Sequence, residues 1–423
     1  MVLPTEFKGI IDGCRVHDMV LHMIREKSRE EKFYDVKDNE QGSQRNGGRR
    51  LALHRATLNQ GQLPKEIGNL KFLQTLILNG TGIEVLPRCL GQLTELMCLR
   101  ADKKTRVPDW IGKLTSLVEL EMYPTAEEMF FVKELGKLRD LKVLHTRINV
   151  QDEGQVRDLL ESLGNMKKIE LISVEPLKYA SVLTDAFMQP SLVLSNTLQM
   201  LCLKAFEFSR LPMVINPQAL PNLYSLSLDL DEVNQQDMEI IGKFEKLSFL
   251  YIYCFDSCFP GISIPSSDGF QNLKSFHITV YPLNFVQGAM PRLEVIKLHF
   301  SVDEIKDEHL GLYFGLGNLS SLQRFVAFLH CNDSFPTEAE LRHIVNTHPN
   351  RPALEIIRLG QDGMVSSDPQ MLEEQKRMIK EQIDDQVELY RAMYSEAVEM
   401  DELKENFLDV RDANSKLKTP KVD

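Results

Sequence analysis

Apolar residues recur along this chain in a fixed unit, not on one helical or strand period held over long segments. Leu63-Pro64-Lys65-Glu66-Ile67-Gly68-Asn69-Leu70 is followed by Leu73, Leu76 and Leu78. The frame returns at Leu86-Pro87-Arg88-Cys89-Leu90-Gly91-Gln92-Leu93 with Leu96 and Leu99. It returns again at Val107-Pro108-Asp109-Trp110-Ile111-Gly112-Lys113-Leu114 with Leu117, Leu120 and Met122. With Leu73, Leu96 and Leu117 as anchors, successive units are 23 and 21 residues apart. Looser copies follow at Leu141, Ile169, Leu198, Leu223, Leu247, Leu273, Leu293, Leu322 and Leu354. Each anchor leads a run such as Leu223-x-x-Leu226-x-Leu228 or Leu293-x-x-Ile296-x-Leu298. Leu51-Ala52-Leu53 reads as a degenerate first copy.

Within each run the apolar residues alternate with polar ones, which predicts a short strand with leucines on one face and the intervening residues on the other. One such unit cannot bury its leucines alone, so neighbours must stack and join their strands into a parallel sheet. The Ile/Leu-Gly-x-Leu segments predict a short helical or turn-like return, with glycine there for a turn or for tight packing. The expected fold is therefore α/β: a leucine-rich-repeat solenoid with a curved parallel sheet of about a dozen repeats over residues 51–360. A bundle of long helices is disfavoured, because Pro and Gly recur inside each unit at fixed offsets.

The flanks read differently. Cys14 to Lys27 has apolar residues at Val16, Val20, Met23 and Ile24, the spacing of an amphipathic helix. Residues 1–36 are therefore expected to hold a short helical segment, and the Gly-, Asn-, Gln- and Arg-containing stretch 37–50 a flexible linker. Ser366-Ser367-Asp368-Pro369 is a helix-start signal, and apolar residues follow at Ile379, Ile383, Val387, Tyr390 and Tyr394. Segment 361–423 thus reads either as a solvated acidic tail or as a helix that covers the last repeat or pairs with a partner.

Charge and cysteine content narrow the function. The 423 residues carry a formal net charge of −12. Residues 361–423 hold 16 Asp/Glu against 9 Lys/Arg, over half of that excess. An acidic balance argues against a protein that tracks nucleic-acid phosphates, and the Arg45, Arg49, Arg50 cluster is too small to offset it. Seven cysteines lie at scattered spacing with no zinc-site pattern, as expected of reduced thiols. The first residues show no basic-then-apolar leader, and no apolar run is long enough to span a bilayer. The expected compartment is the cytosol, with passage to the nucleus open. No H-E-x-x-H or G-x-S-x-G element occurs, and the Asp384-Asp385 pair lies on an expected solvated helix, so no enzyme is expected.

Val16-His17-Asp18, the polar linker, Arg49-Arg50-Leu51-Ala52-Leu53-His54 and the L-P-x-x-I-G-x-L phrasing together resemble plant intracellular disease-resistance proteins. These are the nucleotide-binding leucine-rich-repeat immune receptors of the coiled-coil type. The resemblance covers the chain to about Gly360. It implies that residues 1–36 are the end of a winged-helix switch domain, with Val16 where the family usually has Met. It implies also that His17 contacts the phosphate of a bound nucleotide and that Asp18 holds the resting conformation. No G-x-x-x-x-G-K-[ST] phosphate cradle occurs: Gly112-Lys113-Leu114 and Gly136-Lys137-Leu138 lack the first glycine and the hydroxyl residue. The chain therefore resembles the carboxyl-terminal part of such a receptor. No cofactor is expected unless a nucleotide-binding domain is supplied to hold ADP or ATP. The implied partners are a protein ligand, either a pathogen effector or a guarded host protein, and the receptor's own signalling domains. A free-standing intracellular leucine-rich scaffold or adaptor in signalling is the alternative.

The spacer positions of the strands are the candidate ligand face: His145, Lys204, Asp229, Tyr251, Tyr253, His277, Lys297, His299 and Arg358. Tyr251, Tyr253, His277 and His299 form its most suggestive part, since rings on a rigid sheet offer broad contact at low entropy cost. Ordinary surface aromatics on a strand-rich face are the competing reading.

Overall fold

The computed structural model describes residues 2–7, 10–16, 50–52, 63, 65–148, 152–176, 187–188, 192–254, 262–264, 269–279, 283–301, 315–330 and 335–359. Strands β1 (Val2–Phe7) and β2 (Ile10–Val16) form an antiparallel pair. Strands β3 (Arg50–Ala52), β4 (Thr75–Ile77), β5 (Cys98–Arg100), β6 (Glu119–Met122), β7 (Val143–Ile148), β8 (Leu171–Pro176) and β9 (Met200–Phe208) open the repeat array. It continues through β10 (Ser225–Leu230), β11 (Phe249–Cys254), β13 (Ser275–Ile278), β15 (Val295–Ser301), β16 (Arg324–His330) and β17 (Ala353–Leu359). These thirteen strands make one sheet in chain order. The short strands β12 (Ile262–Ile264) and β14 (Leu283–Phe285) pair separately, in parallel, on the return segments. Met1–Leu329 with Asp333–Ile357 is one compact unit; His330–Asn332 with Arg358–Asp423 is a second.

Register is set by a contact that repeats from strand to strand. Two successive N–H groups at the start of a strand donate to one carbonyl of the strand before it. Met97 and Cys98 donate to Gln74, Tyr224 and Ser225 to Gln199, and Glu294 and Val295 to Lys274. The first inward residues therefore align in one column: Leu76, Leu99, Leu120, Leu144, Ile172, Leu201, Leu226, Leu250, Phe276 and Ile296. All are buried in a single continuous core. Burying each such side chain contributes roughly 1.5–3 kcal/mol, offset largely by the entropy of ordering the chain.

Eleven of the expected anchors close the same turn, each N–H donating three residues back, as Leu73 does to Leu70 and Leu322 to Leu319. The twelfth is corrected. That turn is closed by Arg351, which donates to His348, and Leu354 is instead the first inward residue of β17, packed on the core with Ile356. With arginine in the anchor place, the leucine pattern slides three residues to the next apolar position. Leu51 stands opposite Leu76, so the degenerate first copy does form a strand.

The returns are short in the early repeats and lengthen later. Residues Lys65–Asn69, Arg88–Gln92 and Ile111–Lys113 are single 3-10 turns. Helices α1 (Phe131–Leu135), α2 (Glu153–Asn165), α3 (Gln235–Gly242) and α4 (Phe335–Thr347) serve later repeats. The glycine of each early unit is needed for close approach. A Cβ on Gly68 would lie 2.5 Å from the Cβ of Cys89, and one on Gly91 would lie 3.1 Å from the Trp110 ring. The residue two before the next unit's glycine fills that space, which fixes the spacing between turns.

The N-terminal expectation also needs correction. Cys14, Arg15 and Val16 lie in β2, not at the start of a helix. Val2, Thr5, Ile10, Ile11 and Val16 are β-branched, and the two strands are separated only by Lys8-Gly9, a composition that suits a hairpin. The remainder of the expected helix, His17 and Asp18 included, lies outside the described residues, as do linker residues 37–49 and the tail 361–423.

Candidate protein-binding face

Strand alternation turns every second side chain away from the leucine core. One row of these outward residues runs across nine neighbouring strands: Arg100, Glu121, His145, Ser173, Cys202, Ser227, Tyr251, His277 and Lys297. Two residues further along, Asp229 stands opposite Tyr253. The expected face residues His145, Lys204, Asp229, Tyr251, Tyr253, His277, Lys297 and His299 thus lie on β7, β9, β10, β11, β13 and β15. Arg358 is corrected with the last anchor: it lies on β17 two positions past the core residue Ile356, in phase with the inward positions and not with the spacers, and its side chain is outside the described residues.

The early half of this face is closed by its own charges. Arg100 Nε donates to Glu119 Oε1 at 2.5 Å, and the Cys98 thiol donates to Glu119 Oε2 at 3.5 Å. Burial, and then the Glu119 charge, pushes that thiol well above its ordinary range, which leaves it protonated. The buried Glu121 accepts from Tyr123 Oη at 3.0 Å and from Asn79 Nδ2 at 3.3 Å. Arg147 pairs with Glu175 at 3.3 Å and sits 5.7 Å from the Tyr123 ring centre. His145 is buried within this stretch, away from the other histidines.

The late half is built from rings and cations. His277 Nε2 lies 2.9 Å from His299 Nε2, so one imidazole donates and the other accepts. The two rings stack at 5.1 Å, and His299 stacks on Phe328 at 4.3 Å. The edge of Tyr251 meets His277 at 4.7 Å, and Lys204 Nζ lies 4.8 Å from the centre of the Tyr251 ring. This mutual packing buries His277, His299 and Phe328 to 7%, 9% and 8% exposure although they face away from the leucine core. His277 Nδ1 is buried with no hydrogen-bond partner.

Burial, then the neighbouring His299, Lys297 and Lys204, pushes His277 well below the ordinary histidine range. Burial and the nearby Arg324 lower Lys297 to about 8, with Glu355 opposing. Burial, and then Asp229, pushes the Tyr251 phenol well above its usual range. The acids of this half are engaged by other donors: Asp229 Oδ2 accepts from Ala205 N–H at 2.7 Å, and Glu355 pairs with Arg324. The Ala205 contact holds a left-handed kink in β9, at φ 61°. The site can therefore present a stack of rings flanked by two ammonium groups; it has no arrangement of nucleophile, base and orienting acid.

The structure brings together Lys204, Tyr251, His277, Lys297 and His299, with Asp229 and Tyr253 beside them. It leaves His145 apart. Phe328 and Val326 belong to the same face and were not expected there. An outward apolar residue carries no binding signal in sequence, and only its contact with the two imidazoles distinguishes Phe328.

A leucine-rich repeat region family model matches residues 49–354. Disease resistance protein RGA5 of Oryza sativa subsp. japonica is 25% identical over 311 residues, 68% of this chain and 27% of that protein. Putative disease resistance RPP13-like protein 2 of Arabidopsis thaliana is 27% identical, covering 56% of this chain and 27% of the relative. Probable disease resistance protein RF9, also of Arabidopsis thaliana, is 23% identical over 70% of this chain and 30% of its own length. The matches thus span under a third of each relative.

Proposed function

This chain belongs to the leucine-rich-repeat family, and on that premise we propose that it is the repeat region of a plant intracellular immune receptor. Its fold is a protein-interaction scaffold, and among the described residues no helix is long and apolar enough to cross a membrane. In this reading the late half of the outward face recognises a protein, either a pathogen effector or a guarded host protein, in the cytosol or nucleus. The array also restrains the receptor's switch and signalling modules. The observation that carries the reading is the ring and lysine cluster of Tyr251, His277, His299, Phe328, Lys204 and Lys297, on a sheet whose opposite side is a continuous leucine core. Three disease-resistance relatives over most of this length support it. His17 and Asp18 would touch ADP or ATP only beside a nucleotide-binding domain.

Restraint is tested by co-expressing the chain in leaf tissue with the nucleotide-binding module of a coiled-coil-type receptor. The chain is expected to suppress the module's spontaneous cell death. Unchanged cell death contradicts restraint. Recognition is tested by alanine replacements at Tyr251, His299 and Phe328, read as affinity for a cognate effector; unaltered affinity in all three removes the late half as the contact.

A further inference from the structure

Lys204 and Lys297 stand on strands β9 and β15 at the two ends of the Tyr251–His277 ring pair: Lys204 Nζ lies 4.8 Å from the Tyr251 ring centre, and Lys297 stands opposite His277 in register. Neither makes an ion pair within 4.0 Å among the described residues, whereas Arg100, Arg147 and Arg324 on the same sheet each have a carboxylate. Of the acids nearest to them, Asp229 accepts from the Ala205 N–H through Oδ2, and Glu355 pairs with Arg324. Between the lysines lies a ring floor with one buried imidazole nitrogen, His277 Nδ1, that has no hydrogen-bond partner. A lysine at each end of this ring floor attracts an incoming anion.

Metal chelation does not fit, since no group of three or more ligating side chains occurs among the described residues and two ammonium groups repel a cation. A long polyanion does not fit either. On β5 to β8 of the same face the arginines are already paired, Arg100 with Glu119 and Arg147 with Glu175, so no row of open cations continues for a phosphate chain to follow. A free inorganic anion would leave the rings of Tyr251 and Phe328 unused.

We propose that the late half of the face takes a short acidic peptide segment of its partner, with carboxylates on Lys204 and Lys297 and the intervening residues on Tyr251, His277 and Phe328. This rests on the recognition reading above and names the chemistry of what is recognised. The two lysines supply charge-assisted contacts, and the rings exclude water from them.

The test uses the full chain and a fluorescein-labelled hexaglutamate peptide, followed by anisotropy at low and at physiological salt. Hexaglutamate is expected to bind more tightly than hexaglutamine, and more weakly as salt rises. The Lys204→Gln/Lys297→Gln double variant should lose about ten-fold in affinity, and the Lys204→Arg/Lys297→Arg variant should stay within about two-fold of the parent. A thermal melt of each variant checks that the fold is kept. Equal binding of hexaglutamate and hexaglutamine overturns the proposal, as does full affinity in the folded double glutamine variant. Tighter binding of a single-stranded oligonucleotide or of phosphatidylserine vesicles through the same lysines overturns it in favour of nucleic acid or membrane. If alanine at Tyr251, His299 and Phe328 abolishes effector binding while the glutamine variant binds the effector normally, recognition stands and the acidic segment falls.

Discussion

The strands from β4 to β8 and those from β9 to β16 share one backbone plan and treat their outward side chains in opposite ways. In the early half, each of the arginines Arg100 and Arg147 finds a glutamate one strand away, and the buried Glu121 is served by a phenol and an amide. In the late half, two lysines flank a stack of imidazoles and a phenyl ring, with the acids turned to other donors. A row of spacer positions can therefore act as cross-strand glue or as an unsaturated surface, depending on whether opposite charges stand in register. The leucine side is the same in both halves, so the difference lies in the spacers alone.

That contrast can be broken or sharpened by four measurements. The largest effect should be common to the halves. Leu120→Ala and Leu250→Ala each remove a fully or nearly fully buried core residue, and each should cost about 2–5 kcal/mol in denaturant unfolding. A large disparity between them would mean that the core is not equivalent along the array. Next, Tyr123→Phe withdraws a donor from the buried Glu121 and should cost about 1–3 kcal/mol without altering hexaglutamate affinity. A change in that affinity would couple the halves.

The pH dependence should belong to the late half. His277 is held neutral in the fold, so below its ordinary range the unfolded chain binds a proton that the folded one refuses. Stability is then lost as pH falls below about 6.5, with a slope of up to about 1.4 kcal/mol per pH unit for one proton. His277→Phe should flatten that slope. Last is Lys297→Gln, which removes an ammonium that the fold disfavours, so stability at neutral pH should rise, by no more than the wild-type gain described next. The folded Lys297 gives up its proton near pH 8, ahead of the unfolded chain, so wild-type stability rises from there toward pH 10.5. The variant should lack that rise.

The leucine frame was legible in sequence because each inward position repeats one chemical demand, burial. Eleven anchors, the short early returns and the packing glycines follow from it. The twelfth anchor was misplaced because Arg351 keeps the backbone turn without the leucine that marks it, and the turn is carried by backbone hydrogen bonds that leave no side-chain trace. Cys14 to Val16 misled for another reason. Three residues at the end of a strand share the apolar spacing of a helix start, and the hairpin partner β1 decides between them. On the outward face, the lysines, tyrosines and histidines could be read from their spacer positions. Their grouping depends on the register between β9 and β16, which also draws in Phe328.

The late face as the contact for an acidic partner segment is tested most directly by histidine resonances. In a chain carrying 13C-labelled histidine, with His145, His277 and His299 assigned by single His→Phe variants, hexaglutamate is titrated and the ring signals are followed. The account predicts shifts at His277 and His299 and none at His145, which lies on β7, apart from the late half. Shifts at His145 alone, equal shifts at all three, or none at any of them would contradict it.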